Sequence, residues 1–162
     1  MGVLRAAAVA AAHLRGARRD RPLTGCLNRR AFLERLDRAA AGAEAAWVVC
    51  LVDLDGFKGV NDGAGHAVGD AVRRAVTAAL GGVVRETDTV ARLGGDEFAV
   101  LAAADAGGSE ALAARLREAV AVAGAGTGFT ASVGATDVRP GDEGDEMLSR
   151  ADQAMYLAKG AG

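Results

Sequence analysis

Apolar residues along this chain follow two periods, and the alternation between them lays out its elements. Val68, Val72, Val76 and Leu80 recur every fourth residue, which predicts a helix from His66 to about Val84 with one buried stripe. Phe32, Leu33 and Leu36 share a face of a second predicted helix, from about Asn28 to Ala41, with Thr24 or Asn28 as its cap. Further helices are predicted from about Ser109 to Val122 and from about Asp145 to Lys159, where Met147, Leu148, Ala151, Met155 and Tyr156 keep near-helical register. Residues 1–18 are dense in alanine and arginine, and Val3, Ala7, Ala10, Leu14 and Ala17 step by four and three. That is coiled-coil spacing with a weak, small-residue seam, ended by Pro22.

Between the helices lie short runs of another kind. Trp47 to Val52 is continuously apolar and ends in Asp53, as expected of a strand buried on both faces. Val90–Leu93 and Phe98–Ala102 flank Gly94 and Gly95 and read as a β-hairpin with Asp96 and Glu97 at its tip, since glycine tolerates the positive φ of tight turns. Phe129–Ala135 supplies one more strand. The order is helix, strand, helix, helix, hairpin, helix, strand, helix. It predicts an α+β fold, a mostly antiparallel central sheet with helices packed outside.

Composition narrows the class. A chain of 162 residues is expected to form one main domain, at 20–162, preceded by a helical stalk or linker at 1–19. Aromatics are only 4% of residues, so alanine, valine and leucine must build the core, and an RNA-reading sheet faced with aromatic rings is excluded. Arg5, Arg15, Arg18, Arg19, Arg21, Arg29 and Arg30 stand against Asp20 alone in the first thirty residues, a bias read as a solvated stalk rather than a nucleic-acid or lipid contact. The apolar stretch Ala6–Ala12 is far short of the ~20 residues that span a bilayer. Cys26 and Cys50 lack CxxC spacing, which favours structural thiols in a reducing, cytoplasmic setting.

Two acid-rich stretches carry the candidate chemistry, Asp53–Leu54–Asp55 after the first strand and Asp96–Glu97 after the glycine pair. Carboxylates at two strand ends can meet and hold a hard divalent cation such as Mg²⁺, with Asp53, the Leu54 carbonyl and Asp96 as donors and Mn²⁺ as a substitute. Lys58 and Lys159 are candidates to neutralise charge developing on a nucleotide's phosphates. Taken singly, either stretch reads equally well as a strand-end cap or an ordinary turn. Gly63, Gly65 and Gly69 do not make a dinucleotide fingerprint, because the third glycine falls one place late and no strand directly precedes them. A calcium loop starting at Asp53 would need glycine at its sixth place and Glu at its twelfth, where Ala64 stands.

In sum these residues resemble the GGDEF domain family, the diguanylate cyclases, over roughly Asp20 to Lys159. The motifs that carry the resemblance are Leu23–Thr24–Gly25 with Asn28 and Arg29, Asp53–Leu54–Asp55 with Phe57 and Lys58, and Asn61, Asp62, Gly65, His66, Gly69 and Asp70. They continue with the pentad Gly94 to Phe98, Ser132–Val133–Gly134, and Arg150–Ala151–Asp152 running to Tyr156, Ala158 and Lys159. The resemblance implies a nucleotidyl-cyclase, ferredoxin-like fold and condensation of two GTP into cyclic di-GMP and pyrophosphate. It implies Mg²⁺ on Asp53, Leu54 and Asp96, catalytic roles for Asp96, Glu97 and Lys58, and substrate contacts at Phe57, Asn61, His66, Asp70 and Lys159. Asn61 and Asp70 fall at its guanine-reading positions, and a carboxylate can accept from guanine N1–H and the exocyclic amine together. Taken without the resemblance, His66 reads as a structural histidine between loop and helix.

Arg85 and Asp88 form an RxxD six residues ahead of the glycine pair, which the resemblance assigns to product inhibition, with Arg115 or Arg117 completing the site. Catalysis would need a homodimer, with GTP as substrate, cyclic di-GMP as product and inhibitor, and no nucleic acid or membrane as partner. An upstream sensor domain or protein is the expected source of control. The family commonly continues past the Lys159 position into Gly-Arg-Asn, whose arginine touches phosphate; the sequence in hand reaches Gly162, so weaker triphosphate binding or a chain cut at that point is expected. The alternative is a catalytically idle domain that binds GTP or cyclic di-GMP and signals by contact.

Overall fold

The computed structural model of the chain describes residues 26–42 and 45–161. The expected stalk, Pro22, and the Leu23–Thr24–Gly25 motif lie outside the described residues.

The first helix, α1 (Arg29–Ala41), begins where Asn28 Oδ1 accepts from the Ala31 amide at 2.9 Å, so Asn28 is the cap. Strand β1 (Trp47–Asp55) follows, then a short helix α2 (Phe57–Ala64) and the long α3 (His66–Val83). Strands β2 (Thr89–Arg92) and β3 (Glu97–Ala103) form the hairpin, and α4 (Gly108–Ala123), β4 (Thr130–Asp137) and α5 (Gly144–Ala161) complete the order. The sheet runs β2-β3-β1-β4 with every named pair antiparallel. At its β2 edge, Leu27 adds a single parallel bridge to Ala91. The expected α+β architecture is therefore what the chain adopts.

Side-chain alternation along the strands divides the core into two. Val48, Cys50, Val52 and Leu54 of β1 face the cluster with Val72, Val76 and Leu80 of α3 and Leu112, Leu116 and Val120 of α4. Val49 and Leu51 face the other way, onto Phe32 and Leu36 of α1 and Met147, Ala151 and Met155 of α5. Tyr156, expected on the apolar face of α5, is instead 76% exposed, because it falls one place beyond Met155 on the helical wheel. On β4, a Cβ at Gly134 would strike the Ala151 carbonyl and the Met155 amide. Glycine there lets α5 lie against the strand backbone to backbone.

Two expectations about the site's scaffold need correction. β1 does not stop at Val52 but carries its acids inside the strand, because β4 pairs with it as far as Asp55 opposite Thr130. The hairpin turn does not use positive φ at Gly94 or Gly95. It is a longer loop, closed by the Leu93 and Gly94 amides donating to the Glu97 carbonyl at 2.8 and 3.2 Å, and a loop of that length bends without left-handed residues.

Candidate active site

The two acid-rich stretches, Asp53–Asp55 and Asp96–Glu97, meet at one end of the sheet. Asp53 is opposite Glu97 in the β1–β3 register, and the Leu54 amide donates to the Asp96 carbonyl at 3.0 Å, beyond that last pair. Two stretches about forty residues apart are thus fastened by ladder hydrogen bonds. Asp53 and Asp55 alternate with Leu54, so they share the face covered by α5 while Leu54 is buried in the opposite core.

α5 returns over that face and brings Lys159 to the carboxylates. Its Nζ donates to Asp53 Oδ2 at 2.9 Å and lies 3.5 Å from Asp55 Oδ1. Hydrogen bonding to Asp53 holds the ammonium above its ordinary pKa, the Asp53 and Asp55 charges add to this, and burial opposes it. Ser132 of β4 donates to Asp55 Oδ2 at 2.7 Å. Glu97 is pushed above the usual carboxylate range chiefly by burial; Arg29 pulls it back, and Asp53, Asp152 and Asp96 push it further up. The site end is rich in negative charge, and a lysine partly balances it.

These donors fit a hard divalent cation by type, being carboxylate and carbonyl oxygens around an ammonium already seated between two acids. They do not form a closed cage: among the described residues no three His, Cys, Asp or Glu side chains gather around a point. Mg²⁺ accepts such sites, because it is commonly held by one or two carboxylates with phosphate oxygens and water filling the rest of its shell.

The remaining candidates sit at the same end but across the sheet, on α2 and α3. Lys58 and His66 are exposed, near the start of α2 and at the start of α3. Phe57, expected among the substrate contacts, is 5% exposed and belongs to the core. Asn61 Oδ1 is buried without a hydrogen-bond partner, packed so closely on Gly69 that a Cβ there would collide with it. An unpaired buried acceptor costs about 1–3 kcal/mol, which a donor brought by a ligand would offset. Asp70 is exposed and is held by Arg73, one turn further along α3, at 2.6 Å. Arg73 was not singled out from sequence, although its i,i+3 relation to Asp70 on a helix is a usable signal.

The glycine pair has no structural need of being glycine. A Cβ at Gly95 would meet nothing within 4 Å, and one at Gly94 would make an ordinary 3.8 Å contact with Glu97 Cβ. Their bareness leaves backbone open to whatever approaches the turn.

Arg85, Asp88 and Arg115 are drawn together elsewhere, lining a cavity with Val84, Ala104 and Asp105. It opens near the C-terminal end of α3, whose 18 residues put it about 27 Å from His66 along the helix. Asp88 is 4% exposed and both its oxygens accept from backbone, Arg85 N at 2.7 Å and Ala103 N at 3.0 Å. Arg115 is paired with Asp105 at 2.8 Å and lines the cavity, while the charge of Arg117 acts on Cys50. Burial pushes the Cys50 thiol up to about 12, and both Cys26 and Cys50 are free.

Comparison with known proteins gives this arrangement its context. The family model described as "Diguanylate cyclase, GGDEF domain" matches residues 17–162. The chain is 38% identical over 152 residues to the diguanylate cyclase DgcP of Pseudomonas aeruginosa, covering 87% of this chain and 22% of that protein. It is also 38% identical over 148 residues to the diguanylate cyclase TpbB of the same species, covering 85% of this chain and 34% of TpbB. The chain thus spans about a third or less of the length of these relatives. Among solved structures, the GGDEF domain of DgcB from Caulobacter crescentus, in complex with c-di-GMP, aligns with a TM-score of 0.74 at 34% identity, covering 90% of this chain and 94% of that one. Diguanylate cyclase SiaD of Pseudomonas aeruginosa, in complex with its activator SiaC, aligns at 0.72 and 31% identity, covering 98% of this chain and 65% of SiaD. With the pentad at the hairpin turn, the acids of β1 beside it and the family model matched from residue 17 onward, this chain belongs to the GGDEF domain family of diguanylate cyclases.

Proposed function

We propose that the chain condenses two GTP into cyclic di-GMP and pyrophosphate, using Mg²⁺ or Mn²⁺. The observation that carries this is the 3.0 Å hydrogen bond from Leu54 N to Asp96 O, which joins the acids of β1 to the glycine turn. The N–H and C=O of a strand residue point to the same neighbour, so the Leu54 carbonyl also faces the turn. Asp53, the Leu54 carbonyl and Asp96 would hold the metal, which when bound would acidify the attacking 3′-hydroxyl and steady charge on the phosphates. Gly94 and Gly95 let the triphosphate approach backbone amides. Asp96 and Glu97 orient the reacting end, and Lys58 and Lys159 neutralise phosphate charge, Lys159 by turning from Asp53 and Asp55 to the phosphates. Asp70 accepts from guanine N1–H and the 2-amine, Asn61 offers its unpaired oxygen, and His66 stands at the mouth of this side of the site.

Each domain would hold one GTP, so two chains must face each other as a homodimer. The cavity at Arg85, Asp88 and Arg115 is the proposed cyclic di-GMP inhibitory site. Both Asp88 oxygens serve to hold the loop that presents Arg85, leaving the guanidinium to meet guanine or phosphate. Control by an upstream domain or protein is in keeping with the chain spanning only part of its relatives. Incubation with GTP and Mg²⁺ should yield cyclic di-GMP on chromatography, with none from ATP or after chelation of the metal. Asp96→Asn should remove turnover by at least about a hundredfold, the usual scale of an electrostatic group at the reacting centre, with an unchanged melting curve. GTP binding without pyrophosphate release would instead identify an idle signalling module.

A further inference from the structure

Arg73 touches three parts of the site that otherwise have no common partner. Its Nη1 donates to Asp70 Oδ1 at 2.6 Å, and its Nε donates to the carbonyl of Gly95, inside the glycine turn, at 2.9 Å. Its guanidinium carbon lies 4.8 Å from the centroid of the Phe57 ring, at the start of α2. The side chain is 19% exposed, against 56% for the Asp70 side chain it holds. This is a guanidinium fixed on three sides, not a surface arginine in passing contact with an acid.

Each contact has a separate physical effect. The bond to Asp70 sets the rotamer of an otherwise mobile exposed carboxylate and uses one oxygen, leaving lone pairs for a ligand's donors. The bond to Gly95 fastens the turn whose next residue is Asp96. Stacking on Phe57 restrains the planar fork, which a lysine cannot reproduce. We infer that Arg73 is a positioning residue that sets guanine selectivity by orienting Asp70, and that it couples base recognition to the placement of the Gly95–Asp96 turn.

This inference rests on the cyclase reading for the identity of the base. GTP and inosine triphosphate differ only in the 2-amine that a correctly aimed Asp70 would accept, so their ratio reports the aim. The 3′-deoxy forms of both nucleotides lack the attacking hydroxyl and bind without reacting. Calorimetric affinities of these two probes, with Mg²⁺, are to be measured for the wild-type chain, Arg73→Met, Arg73→Lys, Asp70→Asn and the double variant, with melting curves for each. Arg73→Met should cut the preference for the guanine form about tenfold, the factor that ~1.4 kcal/mol represents. Arg73→Lys should recover part of it, through charge on Asp70 without the fork. In the Asp70→Asn background, removal of Arg73 should change the preference no further. For the coupling arm, turnover of GTP by Arg73→Met should fall in kcat as well as rise in KM.

A lowered affinity with the guanine-to-hypoxanthine ratio intact would overturn the inference, because a residue serving the fold alone weakens both nucleotides equally. Additive effects of the two substitutions would overturn it too. Arg73→Met turnover with a raised KM and unchanged kcat would remove the coupling to the turn. A wild-type chain that binds the probes but forms no cyclic di-GMP would sink the cyclase reading and leave the selectivity arm to be decided by the binding ratios. One that binds neither probe would sink both.

Discussion

At the scale of single residues, the site is defined by which polar groups the chain satisfies itself. Asp53 and Asp55 have a lysine, Asp55 a serine, and Asp88 two backbone amides, whereas Asn61 Oδ1 has none. Internal partners fix the orientation of these acids, and among the described residues Asn61 Oδ1 is the exception. Arg85 lines a cavity with its backbone amide held by Asp88, and on the proposed reading its side chain is the group that meets the product. Arg85→Ala should raise the cyclic di-GMP concentration that halves turnover by about tenfold or more, since hydrogen bonds to a charged group are worth about 1.5–3 kcal/mol. An unchanged inhibition curve would take Arg85 out of that site. Arg73 shows the limit of reading residues one at a time, as its contact with Asp70 follows from helical spacing but its bond to Gly95 does not.

At the scale of elements, α5 matters most, because it both closes one core and delivers Lys159. Gly134 admits it to β4, and Arg150 fixes its approach. That guanidinium donates to both Asp142 oxygens, at 3.0 and 2.7 Å, and to the Asp137 carbonyl at 2.8 Å, tying the preceding loop, the helix and the strand together. The hydrogen bonds from Arg150 hold Asp142 below its ordinary value of 3.8. A folded-state value below the unfolded one gives stability that is present above the ordinary value and is lost as pH falls through the lowered one. Melting temperatures taken from about pH 6 down to about pH 3 should therefore fall further for the wild-type chain than for Asp142→Asn, which lacks the pair throughout. Parallel curves would mean that the bridge contributes nothing to holding α5.

At the scale of the whole molecule, the fold places the proposed base-reading residues Asn61 and Asp70 and the proposed metal-holding acid Asp53 on opposite faces of one sheet end, with the glycine turn between them. On the proposed reading, a nucleotide spanning that edge would leave its reacting groups at the periphery, where a second copy would meet them. Alignment of two such copies can supply about 7–11 kcal/mol of the barrier. Turnover per chain should accordingly rise with chain concentration in a dilution series, and a rate per chain that stays constant would argue that one copy suffices. No helix among the described residues is long and apolar enough to cross a membrane.

Much of this was legible before any coordinates, for reasons that can be named. Fourfold spacing of Val72, Val76 and Leu80 is a property of one helix, and the apolar run before Asp53 is a property of one strand, so local sequence determined both. So did the pentad and its companion motifs, which carry the family. Three things were settled only by tertiary structure: the extension of β1 through Asp55, the Lys159 bridge across 106 positions, and the three-way grip of Arg73. Each depends on pairing between segments distant along the chain, and neither hydrophobic period nor residue type records which edges and faces will be pressed together when the core closes.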